Sequence, residues 1–578
     1  ALWHALPALY PSPQAIPPYG RVGAENAAVG QPPVAALARR VSLRPGGRLR
    51  FTTVFGLLPD TADGRLPRIS SLRRLARYLG PAARKRGLAT LRKKYQRLLA
   101  RRRIDTPDEC LSRYVTEFLT LQAHWVSVLD RGWPSGSRGT RDAAQDATSL
   151  VPTHPELSRS RLLEILSHQG TDGLFPRGYS LIRRQDPLEG GGHVDAGAFV
   201  WELVWKYVCY TRDFDVLRER VAWADSERRS PVLEHVLRLF EYYIARENLG
   251  RHGLCKIRGG DWNDSVNRAG LEGRGETVMV SCQVVLGLEQ AVRFLKHPAV
   301  KGRSRRTAAA PTRFAAAAKA LRRNLLRHAW NASRYFNAVF TDAGQWVFSP
   351  EDPDGRKRVN GPANSFAVIA GIVRGADRDA VFDALDGLRG PFGWRLFDPP
   401  IGHRPILKLG RIGQGDLAPG MGENGTPYNH GSHGFLGRAA WTAGKGNMLY
   451  DVLRHMLPYD QEAHPVEGAK TAPYAVVNHW KEVIGLEGLG GDAFLTGSIA
   501  TAVRNVYEGL VGFRPGLEHL VIDPCIPSEW NGLTAEVGFL GGRCRIRVRN
   551  PEHVECGVAE LRLNGRTAGR RRFDVRLG

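Results

Sequence analysis

Between about residue 113 and residue 511 the chain keeps returning to one pattern: an amphipathic stretch of 10 to 18 residues followed by a Gly-rich loop. The stretches 162–169, 196–210, 231–245, 278–294, 313–328, 365–373, 434–442 and 499–510 place apolar residues three and four apart, which predicts helices with one face to bury. Roughly twelve such stretches can be counted, with no regular strand signal between them. Helices of this kind must cover one another, so the region predicts a helical domain with functional loops between its elements. At 578 residues the chain is too long for one core, and 42% apolar with 24% charged residues is ordinary globular composition.

The flanks read differently. Residues 1 to about 38 are rich in Pro, Ala and Gly without a sustained period. Residues 41–55 predict two short strands about the Pro45-Gly46-Gly47 turn. Residues 71–103 predict a basic helix, broken near Gly80-Pro81, with Leu88, Leu91, Tyr95, Leu98 and Leu99 on one face and Arg92, Lys93, Lys94 and Arg97 on the other. Beyond 512 the period becomes two: Cys544, Ile546 and Val548 alternate with arginines, and Asn564-Gly565 marks a hairpin turn. The expected divisions are 1–62, 63–112, 113–511 and 512–578.

The formal net charge of +25 raises a polyanion or a membrane surface as partner. The excess is mostly arginine spread over the whole chain, with no basic stripe interleaved with aromatics, so neither a specific nucleic acid nor a membrane is expected. Seven widely spaced cysteines without a CxxC pair predict free thiols in a reducing compartment, and with no leader-like N-terminus the expectation is a cytoplasmic protein. Histidines do not fall at ligand spacing and no nucleotide-binding Gly-rich loop is visible, so no metal or cofactor is expected.

Chemistry concentrates at Gly259-Gly260-Asp261-Trp262-Asn263-Asp264-Ser265, a loop wrapped around one aromatic anchor. A carboxylic acid beside Trp262 sits in lowered dielectric, which raises its pKa and suits a general acid in glycoside chemistry. The residue pattern does not separate Asp261 from Asp264, and a capping loop whose Asp and Asn side chains bond only to backbone is the plain alternative. Thr496-Gly497-Ser498 opens a predicted helix, where free N–H groups and hydroxyls attract phosphate; a simple Ser/Thr cap is the alternative there.

Taken with Glu423-Asn424-Gly425, His430 and the stretch 523–528, these motifs resemble glycoside hydrolase family 94, from about residue 40 to the end. That family holds the inverting cellobiose, cellodextrin and chitobiose phosphorylases. The resemblance implies an (α/α)6 barrel catalytic domain, preceded by the last strands of an N-terminal β-sandwich and a helical linker, and followed by a small antiparallel β domain. Most of the sandwich is missing from this chain, which suggests a fragment or truncated form.

The resemblance also implies roles. Asp264 matches the general acid, with Asp261 a structural neighbour; His430, Thr496 and Gly497 match phosphate contacts. Asp142, within Arg141-Asp142-x-x-Gln145-Asp146, matches a residue that bonds hydroxyls of the non-reducing sugar. Asn478 stands where chitobiose phosphorylase has a Gln, and Glu423 and Trp262 line the sugar site. Two upstream family arginines have no counterpart at matching spacing, although Arg131 and Arg138 lie nearby. Trp201 and Trp205, four residues apart, either stack on sugar or pack in the core. The implied activity is reversible phosphorolysis of a β-linked gluco-oligosaccharide to α-glucose 1-phosphate, with a β-1,3-oligoglucan favoured over cellobiose or cellodextrin. Inorganic phosphate is then a substrate, and a homodimer is the expected assembly. An inverting β-glucan hydrolase or transglycosylase, or an inactive carbohydrate-binding fragment, is the alternative.

Overall fold

A computed structural model describes residues 41–50, 73, 76–129, 137–180, 192–301, 305–415, 417–493, 496–569 and 572–573. The chain divides into two compact units, residues 1–88 and 89–578. Of the first, the described residues hold a turn in which the Gly47 N–H donates to the Arg44 carbonyl at 2.8 Å, and a helical stretch that opens α1 (Pro81–Leu99). Residues 41–50 carry the expected turn but no strand, a correction to the predicted hairpin: Val41, Leu43 and Leu49 are exposed, so no sheet face is buried there. Residues 51–55 lie outside the described residues.

Among the described residues of the second unit, the longer helices are α2 (Thr120–Leu129), α3 (Thr140–Leu150), α4 (Pro155–Leu166), α5 (Ala196–Thr211), α6 (Val232–Ile244), α7 (Val278–Lys296), α8 (Arg305–Asn324), α9 (Gly361–Ile369), α10 (Gly375–Asp386), α11 (Phe435–Ala443), α12 (Gly446–Met456) and α13 (Ser498–Arg504), the last continuing as a π-helical turn, Asn505–Leu510. The odd-numbered helices pack neighbour to neighbour, α3 on α5, α5 on α7, α7 on α9, α9 on α11, α11 on the continuation of α13, and α13 back on α3. That closes an inner ring of six. The even-numbered helices pack outside it, giving the (α/α)6 barrel.

Composition explains which helix goes where. The sequence of α7, VMVSCQVVLGLEQAVRFLK, is long and apolar enough to cross a membrane, yet 72% of its apolar window is buried inside the barrel. Outer α8 instead carries Arg305, Arg306, Arg313, Arg322 and Arg323 around a narrow buried stripe of Ala310, Phe314, Ala318 and Leu321. One contiguous apolar core runs from Ile104 to Val537. Trp201, 2% exposed, belongs to it: its indole donates to Gln290 and its ring meets Phe240 and Phe294 edge-on, so it is a packing residue. Trp205 is partly buried against the same core.

The C-terminal strands include β4 (Gly532–Phe539) and β5 (Gly542–Arg549), paired antiparallel with Cys544, Ile546 and Val548 on one face. Before them β2 (Phe513–Pro515) pairs with β3 (Leu520–Ile522). Asn564 and Gly565 have φ of 47° and 82°, the positive pair that a tight hairpin turn needs. The expected helix to residue 103 stops short. Arg102–Asp105 forms a strand, β1, that adds to β4 with Arg102 opposite Val537. Its burial alternates, with Arg102 and Ile104 inside, a pattern that the basic run 101–103 concealed in the sequence.

Candidate active site

Loops at one end of the inner helices converge on the Trp262 segment. Asp261 is fully engaged in building it: its carboxylate accepts from the Asn263 N–H at 3.0 Å and from the Thr277 hydroxyl at 2.7 Å. Asn263 then caps a 3₁₀ turn, Asp264–Val266, by accepting from the Ser265 N–H at 2.9 Å. This aims Asp264 into the site while Trp262, 3% exposed, anchors behind it. The Trp262 ring meets Tyr428, His430 and Phe435 edge-on. A Cβ at Gly431 would stand 2.1 Å from the ring, so the approach requires glycine there.

Around Asp264 three cationic or titratable groups gather. Arg141 Nη2 lies 3.3 Å from Oδ1, Arg177 Nη2 lies 3.0 Å from Oδ2, and His193 Nε2 lies 3.2 Å from Oδ1. Arg141 is itself fixed, by the Trp262 carbonyl at 2.9 Å and by Asp195 at 3.2 Å, and its Nε is 3.4 Å from Asp142. Asp142 occupies the first turn of α3, and a Cβ at Gly139 would come within 2.4 Å of its carboxylate. Arg141, Asp142, Arg177, His193 and Asp195 line a cavity of about 10 Å³, the size of one water. A much larger cavity, about 920 Å³, lies elsewhere, lined by Arg97, Arg101, Tyr210, Phe539 and Arg543 and by a single carboxylate, Glu156. Volume alone would have selected a place without the chemistry.

The charges set the protonation states. Burial by itself would raise Asp264, but Arg141, His193 and Arg177 together overcome it and hold the carboxyl well below the usual aspartate range. This corrects the expectation that Trp262 keeps that acid protonated. The raised carboxyls are its neighbours. Burial, then the Asp264 charge, pushes Glu423 up to about 7, and burial pushes Asp261 up to about 6. Glu423 accepts a hydrogen bond from Ser265, which ties the Glu423 loop to the Asp264 turn.

His430 stands behind Trp262 and is 4% exposed. Its Nδ1 accepts from the Trp262 indole N–H at 3.2 Å, so the ring proton sits on Nε2, 2.8 Å from the side-chain amide of Gln145. Gln145 must then present its amide oxygen there, since amide oxygen and nitrogen are assigned from the bonding network. Both ring nitrogens of His430 are thus engaged by protein. Thr496 donates to the Asn478 side chain and accepts from the Ser498 N–H at 3.1 Å, with Gly497 opening α13. Leu495 lies outside the described residues.

The structure therefore brings Asp261, Trp262, Asp264, Arg141, Asp142, Glu423 and His430 into one bonded or electrostatically coupled cluster, and pairs Thr496 with Asn478. Arg138 turns away to Glu164, and Arg131 lies outside the described residues. Sequence reasoning missed Arg177, and it did not connect His193 or Asp195 with Asp264. They sit in loops before α5 with no local signal, and only the fold brings them to the carboxylate.

A family model described as the catalytic domain of the glycosyl hydrolase 94 superfamily matches residues 94–512. Solabiose phosphorylase of Paenibacillus borealis is 28% identical over 92% of this chain and 65% of its own length. The 3-O-beta-D-glucopyranosyl-beta-D-glucuronide phosphorylase of the same organism is 26% identical over 94% and 67%. N,N'-diacetylchitobiose phosphorylase of Vibrio furnissii is 25% identical over 92% and 66%. The chain spans about two thirds of the length of these relatives.

Proposed function

The chain belongs to the glycosyl hydrolase 94 superfamily, and from that premise we propose that it is an inverting phosphorylase of a β-linked gluco-oligosaccharide. The observation that carries the reading is the convergence of Arg141, Arg177 and His193 on the single carboxylate of Asp264, beside the Trp262–His430 pair. Asp264 gives its proton to the glycosidic oxygen while a phosphate oxygen attacks the anomeric carbon from the opposite face. The carbon–oxygen bond to the leaving sugar breaks, and α-glucose 1-phosphate with a shortened sugar results.

For this, Asp264 must acquire a proton that its ligand-free surroundings disfavour. Sugar binding that draws Arg141 or Arg177 away from the carboxylate raises Asp264, and Glu423 is the adjacent carboxyl able to hold a proton near neutrality. Substrate binding and loading of the acid are thus linked. Thr496 and Gly497, at the opening of α13, and His430 are the phosphate residues of this reading; Asp142, Arg141, Asn478, Glu423 and Trp262 are the sugar residues. A β-1,3-linked substrate is the first choice and cellobiose the next. The named substrates of the relatives, solabiose, a glucosyl glucuronide and diacetylchitobiose, support a β-linked disaccharide as the class.

One observation favours a second reading. A carboxyl pushed up to about 7 beside the candidate acid also suits a general base for water, so Glu423 in that role would make the chain an inverting hydrolase. The test is inorganic phosphate release from α-glucose 1-phosphate with glucose, cellobiose or laminaribiose as acceptor, for the wild type and Asp264→Asn. Acceptor-dependent release that the substitution abolishes is expected. No release with any acceptor from folded protein would refute the phosphorylase.

A further inference from the structure

Beneath the active-site loops the barrel holds a second charged cluster. Its cavity, about 40 Å³, lies between α3, α5 and α13 and is lined by Arg102, Gln145, Glu202, Lys206, Arg504 and Glu508. Glu202 pairs with Arg504 and, at 2.8 Å, with Arg438 of α11; Glu508 pairs with Lys206 and, at 3.0 Å, with Arg504. Two carboxylates thus face four basic groups, Arg102, Lys206, Arg438 and Arg504, an excess of two positive charges when all are ionised.

Arg102 is the group left over. It is 2% exposed, its Nη2 donates to the Ser149 carbonyl at 2.9 Å, its guanidinium lies 4.8 Å from the Tyr507 ring centre, and among the described residues it meets no carboxylate. Its Nε is buried without a partner. At the other end of the cavity Gln145 has one amide atom on His430 at 2.8 Å and the other buried without a partner; a His430 proton on Nε2 assigns the oxygen to His430 and the nitrogen, a donor, to the cavity. A buried cation without a counter-charge costs several kcal/mol. Arginine does not escape by losing its proton. Lys206 is pressed that way, by burial and by the charges of Arg504, Arg102 and Arg438, yet its ion pair with Glu508 needs the proton.

We propose that this cavity is a binding site for a small monovalent inorganic anion of the chloride class, held by Arg102, Lys206 and the Gln145 amide. One water needs about 10–15 Å³ of such space, so the cavity has room for about three waters, enough for a small anion. The site touches the Asp264 cluster through the Gln145–His430 hydrogen bond and does not rest on the reaction assigned to it. Bound there, the anion braces α3, α5 and α13 against one another below the Thr496–Gly497 opening.

The test uses bromide as probe. Crystals of the full chain soaked in sodium bromide are expected to show anomalous density in contact with Arg102 and Lys206. In solution, exchanging isethionate for chloride at constant ionic strength is expected to raise the melting temperature by about 1–3 °C, and Arg102→Met to lose that rise. No bromide peak in the cavity, or a chloride response of equal size in Arg102→Met, would overturn the proposal. The second result would assign the response to the diffuse charge of +25. Should the variant fail to fold, the anomalous density decides alone.

Discussion

The barrel buries two ionic clusters with opposite imbalances, and each is relieved by a different chemistry. At the active site the carboxyls Asp142, Asp195, Asp261, Asp264 and Glu423 outnumber the guanidiniums of Arg141 and Arg177. Carboxyls can take protons, and burial, helped by the neighbouring carboxylates, raises Asp261, Asp195 and Glu423. Below it, four basic groups face Glu202 and Glu508, and three of the four are arginines that cannot shed a proton. An acidic excess makes a site that stores and moves protons. A basic excess makes a site that asks for a counter-ion.

The sharpest break of this contrast is Asp264→Asn. It removes the carboxylate on which the cations converge and should cut turnover by about 10²- to 10⁴-fold or more in initial-rate assays, with circular dichroism showing the fold retained. At the lower cluster the large effect is on stability. Glu202→Gln leaves Arg438 and Arg504 without their shared partner and should cost about 3–5 kcal/mol in chemical denaturation. Burial would raise Glu202, but Arg438 and Arg504 hold it down at about 2, so it stays charged throughout the working range.

A subtler change separates the Asp264 cations. Arg177→Gln takes one positive charge from beside Asp264, so the acid's pKa rises and the falling limb of the pH–rate profile moves upward by about one unit. The sign follows because an acid works only while protonated, and rate is lost as pH climbs through its pKa. Glu423→Gln is the smallest. Glu423 has its ordinary value of 4.5 when unfolded and about 7 when folded, so its contribution to stability is full below about 4.5 and disappears as pH rises through about 7. Asp264 behaves oppositely, its contribution being present at neutrality and lost on acidification. Melting temperatures between pH 5 and 8 should therefore decline less in Glu423→Gln than in the wild type.

Much of the architecture was legible because its signals are periodic. Helical spacing announced α5, α6 and α7 closely, and alternation of Cys544, Ile546 and Val548 announced β5. Boundaries slipped where no local signal marks them: α9 begins at Gly361, four residues before the expected start, because Asn360 caps it by accepting from the Ala363 N–H. Strand β1 was hidden because Arg102 pays its way inward by cation–π contact with Tyr507, a partner some 400 residues away. At the site, the Asp261–Asp264 loop was visible as composition. The division of labour between its two aspartates needed the family resemblance, and the convergence of Arg177 and His193 needed the fold. The same limit applies to the lower cluster, whose members are spread from β1 to α13 and look like scattered charges in the sequence.

The most direct test of the central claim is to incubate cellobiose and laminaribiose with the chain, with and without inorganic phosphate, and follow the products by phosphorus and proton NMR. The account predicts α-glucose 1-phosphate and glucose in equal amounts, formed only when phosphate is present. Glucose appearing at the same rate without phosphate, and no sugar phosphate with it, would contradict the account and identify water as the nucleophile with Glu423 as its base.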